Sequence, residues 1–248
     1  LALWRFLHLA LENLSLRAEH GSMTVKRQQY RATAMTFLYK SSLLYHGLMT
    51  MVYHVHRRER FEEVARWVPR DAEVLDVCCG DGSLSTFLPA SVSYRGLDES
   101  TAFIKAGSRR GRNLRRFNLM AEPLPVAQIV ICQVSLFQFH PKVDEVIGRL
   151  FAAASERLIV SESVKSFSQS KYALPKAICS WGTCVDGLND GSFRFNAASL
   201  EALFAPYRPY LRHTAEVCAG RDWIYVFDKN SIGEERASTR RSDRDAQY

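Results

Sequence analysis

The spacing of hydrophobic residues divides the chain into a helical first quarter and an alternating α/β remainder. Between residues 23 and 68, apolar side chains recur at helical spacing with few Gly or Pro residues, and Pro69 ends this pattern. Five short β-like runs, separated by turns and helical segments, then occupy residues 73–79, 92–97, 114–119, 129–134 and 157–161. Strands that alternate with helices in this way predict a mostly parallel sheet covered on both faces.

The end of the pattern predicts how the sheet closes. Two β-like runs at 211–217 and 223–227 favour an antiparallel pair at the sheet edge, and a helix is expected at 197–204. The long segment 164–195 before that helix contains aromatic residues, which is typical of lids and binding loops. We therefore expect three parts: a helical cap at 1–70, a core at 71–228 with the 164–195 insert, and a disordered tail at 229–248.

Composition and charge narrow the class of protein. Hydrophobic residues make up 47% of the 248 residues, with 13 Gly and 8 Pro, which excludes a disordered chain or a flexible linker. Almost all of the formal charge of +7 lies in the cap, because residues 1–70 carry 11 basic and 5 acidic side chains whereas residues 71–228 carry 17 of each. The core lacks the basic excess that nucleic-acid binding favours.

The cysteines and the N-terminal segment carry weaker signals. Six cysteines fall mostly in apolar runs without zinc-ligand spacing, so we expect reduced thiols in a cytoplasmic protein and no metal site.

Residues 1–16 are predicted to form an apolar helix face, too short and polar to span a bilayer and without a signal-peptide pattern. We expect that face to pack on its own protein, on a second copy in a homodimer, or peripherally on a membrane surface. Gly21-Ser22-Met23 is either an engineered junction or a true start, so residues 1–22 carry little functional weight.

The most informative segment is a buried strand that runs into a glycine turn and then a predicted helix. Its sequence at residues 74–82 is VLDVCCGDG. Glycine accepts positive φ and lets a ligand approach the backbone, and ligands of open parallel sheets bind at the carboxyl ends of the strands. Asp98 ends the second strand, sixteen residues after Gly82. Its carboxylate can accept two hydrogen bonds from a ribose diol.

Two classes of cofactor bind such a turn. A dinucleotide enzyme requires G-x-G-x-x-G, but Ser85 occupies the third glycine position and Asp81 would repel a diphosphate. Asp76 also has no role toward an anionic ligand. It could orient the turn and bind the ammonium of an amino-acid tail, which favours a cationic cofactor.

This segment resembles motif I of the class I S-adenosylmethionine-dependent methyltransferases, a strand followed by D-x-G-x-G-x-G. The resemblance covers residues 72–228 and implies an α/β fold: a Rossmann-like, doubly wound, mostly parallel seven-stranded sheet with helices on both faces and an N-terminal helical cap. It implies S-adenosyl-L-methionine as cofactor, with its methionine part near Asp76 and its ribose on Asp98. The expected cofactor-binding residues are Asp76, Cys78, Cys79, Gly80, Asp81, Gly82, Asp98, Glu99, Asn118, Leu119, Gln133 and Val134.

Two residues depart from the family pattern. Cys78 replaces the first Gly, which is compatible with binding because its side chain is small. Asn118 stands where many relatives have an acid that contacts the adenine amino group. Its amide oxygen could accept that hydrogen bond, or it could cap a local turn.

The acceptor side of the site is predicted from position and residue type. His140 follows the fourth strand and is a candidate general base, or else caps the next helix before Pro141. Glu162, after the fifth strand, is a second catalytic candidate, or else part of a buried ion pair. By resemblance to small-molecule methyltransferases, the acceptor pocket would include Tyr39, Tyr45, His46, Phe137 and Trp181.

Three functions remain open at this point. The first is a methyltransferase for a small-molecule or lipid-like acceptor, methylated on O, N or C. The second is an RNA or protein methyltransferase that uses the basic run at 105–116, although a solvated surface is the simpler interpretation of that run. The third is a catalytically silent, S-adenosylmethionine-binding regulatory protein.

Overall fold

The computed structural model describes residues 56–164 and 193–230. Most of the predicted cap, most of the 164–195 insert and nearly all of the predicted tail lie outside these ranges. So do four of the predicted pocket residues: Tyr39, Tyr45, His46 and Trp181. Within the described ranges, no helix is both long enough and apolar enough to cross a membrane.

The described elements alternate between helices and strands before the chain closes on a hairpin. The helices are α1 (His56–Arg66), α2 (Thr101–Ser108), α3 (Val143–Ala153) and α4 (Ala197–Phe204). The strands are β1 (Glu73–Val77), β2 (Ser93–Asp98), β3 (Leu114–Arg116), β4 (Ala127–Gln133), β5 (Ala154–Ser163), β6 (Leu211–Val217) and β7 (Asp222–Asp228). Shorter 3-10 helices occupy Ser83–Phe87, Leu136–Phe139 and Ala205–Tyr210.

The seven strands form one sheet in the order β3-β2-β1-β4-β5-β7-β6. Strands β1 to β5 pair in parallel, whereas β7 is antiparallel to both β5 and β6. The predicted mostly parallel sheet with an antiparallel edge pair is therefore confirmed. The carboxyl ends of β1, β2, β4 and β5 lie at one edge, where ligands of such sheets bind.

Apolar side chains cover both faces of the sheet. One core packs α3 and α4 on a face that includes Val130 and Val160, and the other packs α1 on the face that includes Ile131. Phe61 and Val64 of α1 are buried in this second core. The packed core therefore begins upstream of residue 71, inside the segment predicted as cap.

The segment after the glycine turn differs from its prediction. A 3-10 helix at Ser83–Phe87 replaces the expected helix and ends where Leu88 is extended, at φ −83° and ψ 153°. Leu88 precedes Pro89, and a residue before proline is sterically disfavoured in the helical region. Ser85 also donates to the Gly82 carbonyl at 2.8 Å, which competes with helix formation.

Candidate functional site

The turn after β1 is held in the left-handed backbone region. Cys78, Gly80 and Gly82 have φ of 58°, 59° and 72°. Cys78 therefore adopts the conformation that the glycine of the motif would adopt at no cost, and a non-glycine residue stores strain there. A Cβ at Gly80 would have no atom of the described residues within 4 Å, so open space adjoins the turn at this position.

The opposite side of the turn is tightly packed. A Cβ at Gly82 would lie 2.7 Å from the Leu114 side chain, and one at Gly96 would lie 2.5 Å from it. A Cβ at Gly107 of α2 would collide with both Leu114 and the Asp81 carbonyl. The turn is thus pressed against β2, β3 and the end of α2, while Gly80 faces open space.

Asp98 links the ends of β1 and β2. Its Oδ2 accepts a hydrogen bond from the Gly80 amide at 2.8 Å, and its Oδ1 accepts one from the Ser100 amide at 2.8 Å. Burial raises the pKa of Asp98 to about 6, against the opposing effect of these amides. Each carboxylate oxygen can accept a second hydrogen bond, so the side chain can still receive a pair of hydroxyl groups.

Asp76 lies beneath the turn. It is 2% exposed, and its Oδ2 accepts a hydrogen bond from the Tyr94 hydroxyl at 2.7 Å. Burial raises the pKa of Asp76 to about 7, and the charge of Asp98 raises it further. Both carboxyls are buried, and neither accepts a hydrogen bond from a cationic group among the described residues. A cation at this edge would therefore favour the ionised form of both.

The Asp81 carboxylate is 3% exposed and lies among guanidinium and hydroxyl groups. Its carboxylate accepts hydrogen bonds from Arg110 at 2.7 Å and from the Ser83 hydroxyl at 2.6 Å, and Arg112 lies 3.0 Å from Oδ2. The predicted repulsion of a diphosphate by Asp81 therefore needs correction, because adjacent guanidinium groups neutralise this charge.

Asn118 caps a local turn. Its Oδ1 accepts hydrogen bonds from the amides of Met120 at 2.9 Å and Ala121 at 3.0 Å, and its Nδ2 donates to Glu99 at 3.1 Å. In the structure, Asn118 therefore caps a local turn, which was one of its two predicted roles. An adenine contact would have to share an oxygen that already accepts two hydrogen bonds. Leu119, the next residue, is buried in the core.

The end of β4 combines strain with an unpaired polar atom. Val134 has φ 48°, which is unusual for a β-branched residue, and its amide donates to the Ser161 carbonyl at 2.7 Å. The buried Oε1 of Gln133 has no hydrogen-bond partner among the described residues. Backbone strain and unpaired buried polar groups are both frequent at ligand sites.

The loop after β4 carries aromatic side chains. His140 is exposed and stacks on Phe193, with 4.0 Å between ring centroids and 15° between planes. The Arg194 guanidinium lies 4.4 Å from the centre of the buried Phe137 ring. His140 does not cap α3, which begins at Val143 after Lys142. The last residues of the predicted insert thus pack on the predicted acceptor side of the site.

Glu162 holds this loop through the backbone. Its Oε2 accepts a hydrogen bond from the Leu136 amide at 2.8 Å, and its Oε1 accepts one from the Ser163 amide at 3.1 Å. It is 1% exposed, and burial raises its pKa to about 7. The predicted ion pair is not its direct contact, because the nearby Arg60 guanidinium donates to Asp222 at 2.9 Å. Its geometry fits a positioning role, and its catalytic role stays a prediction.

Sequence reasoning missed a second buried polar cluster at this edge. Asp222 is fully buried and accepts hydrogen bonds from Arg60, Arg221 and Ser163, which hold its pKa at about 2 against the opposing effect of burial. Arg60 and Asp222 are 162 positions apart in the chain. No local pattern could have paired them. Among the described residues, no group of three or more metal-ligating side chains is present.

Comparisons with known proteins agree with this architecture. The family model for methionine biosynthesis protein MetW matches residues 58–121, which include most of α1, the glycine turn, Asp98 and the basic run. No match was found among curated proteins.

Solved structures match a larger part of the chain. Magnesium protoporphyrin IX methyltransferase from Synechocystis PCC 6803 with bound SAH is 19% identical, with 71% of this chain and 84% of that chain covered and a TM-score of 0.54. A possible histamine N-methyltransferase from Thermotoga maritima is 13% identical, with 79% and 100% covered and a TM-score of 0.57. An O-methyltransferase family 2 protein from Planctomyces limnophilus DSM 3776, in complex with apigenin, is 13% identical, with 77% and 62% covered and a TM-score of 0.52. This chain therefore has the fold of the class I methyltransferases.

Proposed function

We propose that the protein is an S-adenosylmethionine-dependent methyltransferase that acts on a small-molecule or lipid-like acceptor. The observation that carries the proposal is the pairing of Asp98 with Gly80. A carboxylate with remaining acceptor capacity lies 2.8 Å from the amide of a glycine whose ligand side is open. The fold and the partial family match support the same assignment.

The cofactor would lie across the carboxyl ends of β1, β2 and β4. Asp98 would accept hydrogen bonds from its ribose hydroxyls, and Gly80 would leave room for close approach of the ligand to the backbone. The buried Asp76 carboxylate would favour the cationic methionine part, and the unpaired Gln133 Oε1 would accept a hydrogen bond. The bound cofactor supplies an electrophilic methyl group, so the protein has mainly to align an acceptor with it.

The acceptor would meet this methyl group beside the loop after β4. Phe137 and His140 lie on this loop, with Phe193 and Arg194 packed against it. His140 is exposed and is our proposed general base. The cap and the 164–195 insert are proposed to supply the remaining acceptor contacts, including Tyr39, Tyr45, His46 and Trp181.

The first experiment is calorimetric titration of the full chain with S-adenosylhomocysteine. Asp98→Ala should weaken binding by about 1.5 to 3 kcal/mol, the worth of hydrogen bonds to a charged group. Asp144→Ala, at an exposed position on α3, is the matched control and should bind as the wild type does. Equal affinity of Asp98→Ala and wild type would remove the ribose assignment, and no binding by the wild type would reject the proposed function.

Incubation with methyl-labelled cofactor and fractionated cell extract then identifies the acceptor class. Label in the small-molecule or lipid fraction supports the proposal, whereas label in RNA or protein supports the alternative. Cofactor binding without labelling of any fraction would favour the silent regulatory protein. The basic run is a weak argument for RNA, because Arg110 and Arg112 are engaged with Asp81 and Arg115 contacts Glu122 at 3.4 Å.

A further inference from the structure

The loop after α2 packs directly against the glycine turn. Gly107 at the end of α2 leaves no room for a side chain between itself and the Asp81 carbonyl. From this loop, Arg112 extends back over the turn, and its side chain is only 14% exposed. A guanidinium buried to this extent must have polar partners, and it finds them in the turn itself.

One atom of Arg112 makes all of these contacts. Its Nη1 donates to the Asp81 carbonyl at 2.7 Å and to the Ser83 hydroxyl at 3.2 Å, and it lies 3.0 Å from the Asp81 carboxylate. The aliphatic part of Arg112 lies against Gly82, 3.4 Å from the position of a Cβ there. Arg112 thus fixes both the backbone and the side chain of the residue between the two motif glycines.

The turn needs such support. Cys78, Gly80 and Gly82 all have positive φ, and the 3-10 helix that follows is only five residues long. A strained turn that leads into a short helix is poorly held by its own hydrogen bonds. A displaced Gly80 would break its 2.8 Å hydrogen bond to Asp98, and both halves of the candidate site would separate.

We propose that Arg112 is a positioning residue that holds the turn at residues 78–82 in its cofactor-binding conformation. The inference rests on the proposed function, because the ligand of the turn is taken to be the methylation cofactor. Arg112 acts through Asp81 and Ser83 and does not itself contact the cofactor. The basic run that suggested an RNA surface is then, at this position, an internal support of the site.

The test compares binding and stability in the same variants. Arg112→Met should raise the Kd for S-adenosylhomocysteine about tenfold at 25 °C, the low end of the worth of hydrogen bonds to a charged group. Asp81 keeps Arg110 as a partner in this variant, so the fold should survive. Arg109→Met removes the same charge from an exposed position in the same run and should leave the Kd unchanged. Arg112→Lys should lie between wild type and Arg112→Met, because Lys offers a point charge in place of the planar guanidinium.

The outcomes separate this inference from the proposed function. If the wild type binds and Arg112→Met binds equally well, the positioning role is wrong, even when the thermal stability of the variant has fallen. If Arg112→Met and Arg109→Met weaken binding equally, the effect is one of general charge and the inference is also wrong. If the wild type itself does not bind, the proposed function fails. Should Arg112→Met not fold, Arg112→Lys keeps the charge but not the planar guanidinium, and it must raise the Kd for the inference to stand.

Discussion

Cys78 and Gly80 share a left-handed backbone, but they differ in what surrounds the Cβ position. Gly80 faces open space, whereas the Cys78 side chain packs partly against the core. Gly80→Ala should therefore place a methyl group where the cofactor approaches and add backbone strain of about 1 kcal/mol. We expect a loss of S-adenosylhomocysteine binding in calorimetry that exceeds what this strain explains.

Cys78→Gly is the counterpart of that substitution. It restores the glycine of the family motif and relieves the positive φ of 58°, so the affinity for S-adenosylhomocysteine should be retained. A Gly80→Ala variant that binds normally, or a Cys78→Gly variant that loses binding, would contradict the assignment of the open side of the turn to the ligand.

For single residues, the sequence predicted local spacing but not long-range contacts. The acidic and glycine residues of the turn could be found from their spacing, because that pattern is local. The orientation of Asp81 could not, since its partners Arg110 and Arg112 lie 29 and 31 positions away. Asn118 was ambiguous for a related reason, because one amide can serve either a turn or a ligand.

At the scale of elements, β5 positions the loop after β4 through Glu162. The Glu162 carboxylate accepts hydrogen bonds from the amides of Leu136 and Ser163. Glu162→Gln keeps the shape of the side chain, but its NH₂ group would face one of these two amides, donor against donor. We expect a loss of about 1 to 3 kcal/mol in the free energy of unfolding, the cost of an unsatisfied buried group. Urea denaturation at pH 8 measures it.

The control lies on the same strand. Glu156→Gln changes an exposed carboxylate of β5, so its effect on the free energy of unfolding should be within about 0.5 kcal/mol. Equal stability of Glu162→Gln and wild type would show that the carboxylate does not hold the loop.

Elements were predictable where the pattern was continuous and where no long-range contact decided the outcome. The helix at 197–204 and the buried strands β4 and β5 follow from apolar spacing alone. The prediction of a helix after the glycine turn was wrong, although Pro89 and the hydroxyl side chains before it indicated that the helix would end early. The contact of Glu162 with the Leu136 amide could not be predicted, because the two residues lie on separate elements of the chain.

At the scale of the whole molecule, buried carboxyl groups on the sheet edge dominate the described electrostatics. Burial raises the pKa of Asp76 and Glu162 to about 7 and that of Asp98 to about 6, from ordinary values of 3.8, 4.5 and 3.8. Asp222 differs because two arginines compensate for its burial, and its pKa falls to about 2. Carboxyls with perturbed pKa values at one edge are typical of a functional site, and a cationic ligand there would favour their ionised forms.

These shifts fix the sign of the pH dependence of stability. Between pH 5 and 7.5, the folded chain binds more protons at Asp76, Asp98 and Glu162 than the unfolded chain does, so their contribution to the free energy of unfolding falls as pH rises. Asp222 acts in the opposite direction, but only below about pH 4, where its stabilising contribution is lost.

Asp76→Asn isolates one of these groups from the rest of the chain. The substitution keeps an acceptor for the Tyr94 hydroxyl but removes the titration, so the variant should lose less stability than the wild type between pH 5 and 7.5. The difference should be at least about 1 kcal/mol, since one unit of pKa shift corresponds to about 1.4 kcal/mol. Urea denaturation of both proteins at the two pH values measures it, and titrating groups that do not interact with Asp76 cancel in the comparison. Identical pH dependence would mean that Asp76 titrates near its ordinary pKa and is already ionised in the folded chain throughout this range, so its pKa would not be raised by burial.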